Sequence, residues 1–331
     1  MKNFLGYRPH GHRPQWYTWP DGAELRLNRW EDIPQNPGFV YAPFEPSEAC
    51  PIIWIASQNL IPMTAAQAEI LGNNQSQGGI ESMEDFVQRV EEIKEMCNRG
   101  KFQKLVVSRV VEIKKVPEIG LFDRLCDQYP RANVCWFQSK ITGSWVTASP
   151  ELLLHRRGIR FETMSLAGTR PAGTQGNWGA KELKEQHLVT AYLLDRLTRL
   201  QAKEMEVFGP VTDNAGNIEH LKTTLLGKTD GSTLEMIQAL HPTPAVCGYP
   251  SKEAHAFLEQ KEKSFRSYYS GFFGWMDPLA ESELFVNLRC MEIQEKQCRL
   301  HVGCGILSDS DAEAEYRETE MKAATLGKMI F

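Results

Sequence analysis

Apolar residues repeat at helical spacing in two long segments of the chain. Residues 82–98 carry an apolar stripe, with Ser82 and Asp85 as an N-terminal cap and Gly100 as the stop. Residues 181–208 keep helical spacing for about seven turns. The sequence therefore predicts two long amphipathic helices. Shorter helices are predicted over residues 121–129, 232–240 and 252–269, and a final one begins at Asp311.

Short runs rich in β-branched and aromatic residues predict strands. They lie at residues 105–113, 132–138, 144–149, 151–156 and 159–168. Three more, at 270–277, 283–293 and 298–307, follow one another with short turns between them, which favours antiparallel pairing. Residues 1–80 are predicted to be largely irregular, with short strands only at 38–44 and 51–57. The predicted class is α+β, with large antiparallel β-sheets flanked by helices.

Composition limits the kind of partner that the protein can take. Of its 331 residues, 42% are hydrophobic, which is enough for a substantial core. The formal net charge of -5 leaves no basic stripe, so a small molecule is favoured over nucleic acid. The absence of a long apolar run and of a secretion signal predicts a cytoplasmic protein with no membrane partner. The cysteines form no CxxC pair and are predicted to be reduced thiols.

An amine and a carboxyl flank two of the predicted strands. Lys104 stands at the entrance of the strand over 105–113, where burial would weaken its hold on a proton and let it act as a base. Glu151 lies between Ser-Pro and Leu-Leu-Leu, where a desolvated carboxyl would keep its proton and act as an acid. Each could instead be a solvated strand end. Lys101 is a rival base, but its place before the strand predicts solvation.

Further positions offer groups for an anion or a cation. The backbone N–H of Gly168 and the hydroxyl of Thr169 could bind an anion, or could form a bare turn. Glu182 and Glu185 open the second long helix, where they could equally complement the helix dipole. The remaining candidates are His241 in the proline-rich loop 240–250, Arg289, and the small-residue turn from Gly303 to Gly305.

Two like charges share one face of the C-terminal helix. Glu315 and Glu318 are three residues apart and Lys322 follows one turn later, so all three point to the same side. Carboxylates placed in this way repel each other. They must therefore lie on a solvated surface or face a cation. His10 and His12 lack a third metal ligand nearby, which favours a surface position for them.

Eight motifs of this chain, in their order, resemble those of the chorismate-utilising enzymes. The motifs are KLVVSR, SPELLL, LAGTRP, HPTPAV, YYSGFFGW, LFVNLRC, GCGILSDSD and EAEYRETEMKA. Together they span residues 80–331, and so many ordered motifs make a chance match very improbable. The resemblance implies one chorismate-binding domain over residues 1–331 with the aminodeoxychorismate synthase-like fold. Its first 80 residues are a shortened N-terminal portion, and the catalytic core follows.

The resemblance implies a role for each candidate side chain. Lys104 would be the general base and Glu151 the general acid. The ring carboxylate of chorismate would lie beside Gly168 and Thr169, next to a Mg²⁺ ion. The implied ligands of the ion are Glu182, Glu185, Glu315 and Glu318, and the other implied substrate contacts are His241, Tyr269, Arg289, Gly303, Gly305 and Lys322. Gln186 departs from the family pattern, which has His at this position.

Two positions select among the reactions of that family. The branches that deliver ammonia have Gln where this chain has Lys104, or a second lysine where it has Ala167, so the pair found here implies water as the nucleophile. The loop with Pro244, Ala245 and Gly248 resembles the branch that forms isochorismate. Salicylate formation with loss of pyruvate is the alternative, and a chorismate-binding protein without activity is another. The pathway, menaquinone or siderophore, stays open, and the resemblance implies a monomer.

Overall fold

The computed structural model describes residues 3–72, 79–262 and 266–330. In these ranges the chain forms eighteen strands and six α-helices. The strands are β1 Phe4–Arg8, β2 Gln15–Thr18, β3 Glu24–Leu27, β4 Gly38–Ala42, β5 Ile52–Ala56, β6 Ile61–Met63, β7 Lys104–Ile113, β8 Asn133–Ser139, β9 Gly143–Ser149, β10 Leu152–Arg157, β11 Arg160–Pro171, β12 Lys203–Ala215, β13 Ile218–Lys228, β14 Gly248–Tyr249, β15 Phe272–Met276, β16 Glu281–Val286, β17 Cys290–Ile293 and β18 Cys298–Ile306. The helices are α1 Met83–Asn98, α2 Leu121–Gln128, α3 Ala180–Arg199, α4 Thr233–Leu240, α5 Ser251–Lys261 and α6 Ala312–Gly327.

The strands form two sheets of nine strands each. The order in the first sheet is β14-β7-β18-β17-β9-β8-β1-β2-β6, and in the second it is β12-β13-β11-β10-β16-β15-β4-β5-β3. Every neighbouring pair is antiparallel. Neither order follows the chain. Strand β7 therefore lies beside β18, with Ser108 opposite Gly303, although almost two hundred residues separate them in sequence.

Large aromatic side chains fill the space between the two sheets. Tyr41 of β4 stacks on Phe137 of β8, with ring centroids 4.4 Å apart. Phe39 of β4 meets Tyr7 of β1 edge to face at 5.5 Å. Each pair joins one sheet to the other, and aromatic pairs of this geometry add to the stabilisation that burial already gives. The N-terminal strands therefore supply part of the central core.

The helices cover the outer faces of this sandwich. Helices α3 and α4 pack on the second sheet, α2 and α6 pack on the first, and α1 and α5 pack beside β7 and β18 of the first. The predicted cap of α1 is present, because the Ser82 hydroxyl accepts the Asp85 N–H at 3.1 Å. Helix α6 is capped as well, by the Asp311 carboxylate, which accepts the Ala314 N–H at 2.7 Å. The predicted α+β class, with large antiparallel sheets flanked by helices, is confirmed.

The two strands predicted in residues 1–80 are confirmed as β4 and β5, but four more strands, β1, β2, β3 and β6, lie in segments that were predicted to be irregular. Their segments are short, and Gly and Pro residues between them hide the alternation that marks a strand. Two of the six strands, β1 and β4, pair with distant strands, and the other four are added to these two. Leu5 of β1, for example, pairs with Phe137 of β8. Residues 73–78 of this portion lie outside the described ranges.

The second long helix is shorter than predicted. Helix α3 ends at Arg199, Gln201 adopts a left-handed φ of 55°, and the chain continues as β12. Val207, predicted to be helical, pairs instead with Leu225 of β13. Strand β12 is the exposed edge of its sheet, so it lacks the alternation of buried and exposed residues that identifies a strand in sequence. Tertiary pairing decides its conformation.

Two other boundaries differ from the prediction. The strand predicted over 283–293 is two strands in different sheets, β16 and β17, and Arg289 between them has a left-handed φ of 49°. The helix predicted over 252–269 ends at Lys261; residues 263–265 lie outside the described ranges, and 267–270 form a turn. All eight cysteines are free, as predicted. No described helix is both long enough and apolar enough to span a bilayer.

Candidate active site

A cavity of about 70 Å³ lies between the two sheets, and most of the predicted site residues line it. Its walls come from β7 and β18 of the first sheet, from β11 and β13 of the second, and from the segments that cross between them. The predicted residues on the cavity wall are Glu151, Gly168, Thr169, Glu185, Tyr269, Arg289, Gly303, Gly305 and Lys322. Segments that are far apart in sequence therefore meet at one place.

Lys104 is the first residue of β7, and its side chain is fully buried. Its Nζ forms an ion pair with Glu185, 2.7 Å from Oε1, and no other described residue offers Nζ a hydrogen-bond partner. Residue 305 must be small, because a methyl group on Gly305 would lie 2.6 Å from Cε of Lys104. The amine is thus in a dry site rather than at a solvated strand end, whereas Lys101 is exposed, as predicted.

Glu151 follows β9 and is 2% exposed. Burial raises the pKa of its carboxyl to about 8, although the nearby charges of Lys104 and Lys322 act to lower it. The carboxyl therefore keeps its proton near neutral pH. Of the two interpretations that the sequence left open, the desolvated acid is the one that the structure favours.

Gly168 and Thr169 form a β-bulge in β11 rather than a bare turn. The register with β13 shifts between Ala167 and Thr169, and Gly168 has a left-handed φ of 70° that favours glycine. A methyl group on Gly168 would also lie 3.0 Å from Cβ of Glu182. The bulge turns this stretch of backbone toward the cavity, next to the start of α3.

Arg289 is held by a histidine that the sequence did not single out. Burial, together with the charge of Arg289, lowers the pKa of His220 well below its usual value, so the ring is neutral. His220 Nδ1 donates to the carbonyl of Gly168 at 2.9 Å, which leaves Nε2 to accept from Arg289 Nη2 at 2.6 Å. No sequence signal pointed to His220, because the strand that carries it, β13, was not among the predicted elements.

Tyr269, Gly303 and Lys322 form the wall next to Arg289. Lys322 Nζ donates to the carbonyl of Gly303 at 2.8 Å and to Oε1 of Glu318 at 2.7 Å. A methyl group on Gly303 would lie 2.8 Å from the hydroxyl of Tyr269. The predicted turn from Gly303 to Gly305 is in fact part of strand β18, and the two glycines let neighbouring side chains approach the strand closely. Together these residues present two cations and a hydroxyl to one cavity.

The predicted magnesium ligands stand near the starts of α3 and α6. Lys181 of α3 ion-pairs with Glu315 of α6, and its charge also acts on Glu318 and Glu185. The ammonium group of Lys181 thus already places a positive charge among three of the four carboxylates. Carboxylate oxygens are hard donors, which suit Mg²⁺. Burial and the charge of Glu318 raise the pKa of Glu315 to about 7, a penalty that a cation would relieve. The donor set fits a divalent cation.

Lysines neutralise three of these carboxylates in the structure. The pairs are Lys104 with Glu185, Lys181 with Glu315, and Lys322 with Glu318. Within the described ranges, no three acidic, histidine or cysteine side chains are close enough as they stand to share one ion. Glu182 is half-buried and lies against Gly168. A bound ion would therefore have to draw these carboxylates away from their lysines.

His241 is not brought to the cavity. Its buried ring contacts Trp30 and Phe272, each with centroids 5.2 Å away, and Nε2 lies 3.2 Å from the carbonyl of Phe44. Burial lowers its pKa to about 4, so the ring is neutral. Ala245 and Val246 of the same loop do line the cavity. His241 thus contributes to the packing of the loop.

A larger cavity, of about 480 Å³, adjoins the first and shares Pro150 and Arg289 with it. Apart from Arg289, none of the predicted site residues lines this larger cavity. The acid and the small-residue strand line the smaller one, and the amine of Lys104, which does not line it, contacts Glu185 and Gly305 of its wall. We therefore take the smaller cavity as the candidate active site.

A family model described as chorismate binding enzyme matches residues 49–331. The chain belongs to this family. The match begins inside the first 80 residues and continues to the end of the chain, so it includes every residue of the cavity described above. The family resemblance that the eight motifs predicted is confirmed.

Individual relatives agree with this assignment. The chain is 31% identical over 265 residues to the vibriobactin-specific isochorismate synthase of Vibrio cholerae, which covers 74% of this chain and 66% of the relative. It is 31% identical over 257 residues to the isochorismate synthase EntC of Escherichia coli, covering 73% and 66%. The chain thus spans slightly less than two thirds of these relatives. The structure of MenF, the menaquinone-specific isochorismate synthase of Escherichia coli, has the same fold, with a TM-score of 0.80 at 19% identity over 100% of this chain and 89% of that one.

Proposed function

We propose that this protein is an isochorismate synthase, which converts chorismate to isochorismate. One observation carries the proposal: the site contains both a buried amine, Lys104, and a buried carboxyl, Glu151, whose pKa is raised to about 8. Glu151 lines a cavity that also presents Arg289 and Lys322, and Lys104 lies directly behind two residues of its wall, Glu185 and Gly305. A base and an acid at one site, beside cations for a dianion, are what exchange of a ring hydroxyl requires.

The reaction consumes one water molecule and releases another. In its neutral form, Lys104 accepts a proton from a water molecule whose oxygen attacks C2 of the ring. The ring double bonds shift, the C4–O bond breaks, and Glu151 gives its proton to the departing hydroxyl group, which leaves as water. General acid and base assistance of this kind is typically worth ~10² to 10⁴ each. Substrate and product are isomers that differ in the positions of one hydroxyl and of the ring double bonds, so the reaction should be reversible.

The substrate is a dianion and needs a cation for each carboxylate. Arg289, Lys322 and Tyr269 bind the enolpyruvyl carboxylate, and a guanidinium suits a carboxylate well. The ring carboxylate lies beside Gly168 and Thr169. Glu182, Glu185, Glu315 and Glu318 would hold a Mg²⁺ ion there, which supplies positive charge to the ring carboxylate.

Salicylate formation is the rival activity, because a salicylate synthase would begin with the same step and then eliminate pyruvate. The residues that favour a halt at isochorismate are Pro244 and Ala245, where that branch has Thr-Ala. At these two positions, the two branches differ at residue 244 alone, and Pro244 directly precedes Ala245 on the cavity wall. A chorismate-binding protein without activity would need neither the buried amine nor the buried acid.

One assay separates these three functions. Purified protein is mixed with chorismate and Mg²⁺, and the products are resolved by chromatography. Isochorismate as the main product supports the proposal. Salicylate together with an equal amount of pyruvate would replace it with the rival activity, and chorismate that binds but stays unchanged would leave only a binding function.

A further inference from the structure

His301 is a buried histidine on the cavity wall with no role in the reaction described above. It lies on β18 at alternate positions with Gly303 and Gly305, so all three face the same side of the strand. Both glycines line the cavity, and so does His301. The side chain is only 4% exposed.

The ring of His301 lies between two aromatic side chains. It stacks on Tyr269 with centroids 5.8 Å apart, and it contacts Trp145 at 5.1 Å. Burial, together with the charge of Arg299, lowers its pKa to about 3, so the ring is neutral at physiological pH. An apolar aromatic ring would fill this space equally well. The packing therefore does not explain why the residue is histidine.

The nitrogen Nε2 of His301 is buried and makes no hydrogen bond to any residue in the described ranges. A buried polar atom without a partner destabilises the folded state, because it has lost its hydrogen bond to water and gained nothing in return. Such an atom is explained when a ligand supplies the partner. The cavity that His301 lines is a place from which such a partner can come.

We propose that His301 is a substrate-binding residue whose Nε2–H donates a hydrogen bond to an oxygen of the enolpyruvyl group of the bound substrate. This inference rests on the proposed function. His301 stacks on Tyr269, and Tyr269 in turn borders Gly303, whose carbonyl accepts from Lys322. The imidazole thus extends the wall that receives this end of the dianion. Tyr269 and Trp145 fix the plane of the ring, so the donor is already oriented when the substrate arrives.

The test compares His301→Phe with His301→Gln. The Phe variant keeps the ring but removes the donor, so the Kd and the KM for chorismate should each rise about tenfold, with a much smaller change in kcat. Its melting temperature without substrate should equal or exceed that of the wild type, because an unpaired buried polar atom is gone. The Gln variant restores an N–H group near the position of Nε2 and should recover most of the affinity. His255→Phe, on α5 and outside the cavity, is the matched control and should leave Kd and KM unchanged.

Each outcome decides the inference. If the Phe variant binds chorismate as tightly as the wild type, or if it melts at a lower temperature and Gln restores nothing, His301 is a packing residue and the inference is wrong. Failure of the proposed function is recognised separately, because the wild type would then yield no isochorismate. A wild type that forms isochorismate beside a Phe variant of unchanged affinity overturns only the role of His301.

Discussion

Lys104 and Glu151 are common residue types whose chemistry in this protein depends on burial. Either could have been a solvated strand end, and nothing within ten residues of each separates the two cases. In the fold, Gly305 of the distant strand β18 lies against the side chain of Lys104, and the side chain of Glu151 is buried away from water. The sequence predicted the correct residues, but the raised pKa of Glu151 arises only in the assembled cavity.

The pH dependence of turnover tests the state of Glu151. Its carboxyl, with a pKa raised to about 8 by burial, is protonated below that pH and loses its proton above it. A general acid acts only while protonated, so kcat/KM should fall as the pH rises through about 8. A pH–rate profile measured with chorismate checks this. Activity that keeps rising beyond pH 9 would count against Glu151 as the acid.

Removal of the amine of Lys104 tests the base. The Lys104→Ala variant should lose at least ~10²-fold in kcat, because it removes the amine that takes the proton from water. Chorismate binding, measured by calorimetry, should stay close to that of the wild type, since Arg289 and Lys322 remain. Lys101→Ala is the matched control and should turn over normally. Unchanged turnover in the Lys104 variant would refute the base assignment.

At the scale of single elements, a buried amide, that of Gln186, helps to attach helix α3 to the second sheet beside its apolar packing. Nε2 of Gln186 lies within hydrogen-bond distance of the Ser165 carbonyl, the Ser165 hydroxyl and the Thr223 hydroxyl, at 3.2, 2.8 and 2.9 Å. These contacts tie the helix to β11 and β13. The departure from the family pattern at this position thus fixes the helix that carries Glu182 and Glu185, and it touches the cavity only indirectly.

The Gln186→Ala variant should lower the free energy of unfolding by about 2 kcal/mol, because buried acceptors on Ser165 and Thr223 lose their donor. Chemical denaturation followed by circular dichroism measures this. His187→Ala changes the next residue, which is exposed, and should alter stability by less than about 0.5 kcal/mol. Equal effects of the two substitutions would show that the amide adds nothing to the attachment of α3.

Elements with a strong local signal were predicted well. Helix α1 has a periodic apolar stripe and a capping serine, and its observed bounds agree with the prediction. Strand β12 has no such signal, because both of its faces are exposed and only its pairing with β13 holds it extended. The segment 283–293 reads as one apolar strand, yet it crosses from one sheet to the other. A run of apolar residues predicts that a segment is buried, but it does not predict which sheet the segment joins.

At the scale of the whole molecule, the candidate site exists only where two sheets and two helices meet. Glu185 comes from α3 and Glu318 from α6, and residues of both sheets complete the cavity. A metal ion held by both helices would therefore couple parts of the chain that are more than a hundred residues apart. Its loss should be felt both in ligand binding and in stability.

Substitution of one carboxylate tests the ion. With Glu318→Gln, the Mg²⁺ concentration needed for half-maximal activity should rise about tenfold or more, since one charged ligand becomes neutral. A Mg²⁺ titration at saturating chorismate measures the change. Glu320→Gln alters a half-exposed carboxylate of the same helix that pairs with Arg109, and it serves as the control. An unaltered titration of the Glu318 variant would tell against the ligand assignment.

The sequence by itself determined the α+β class, the helices with periodic stripes and caps, and the residue types at the site, because these depend on neighbours within a few turns of chain. Through its ordered motifs it also pointed to the family. Only the tertiary structure decided that β1, β2, β3 and β6 form, that β16 and β17 separate into different sheets at Arg289, and that His220 and His301 border the cavity. Desolvation and strand pairing made those decisions, and both are imposed by residues far away in the chain.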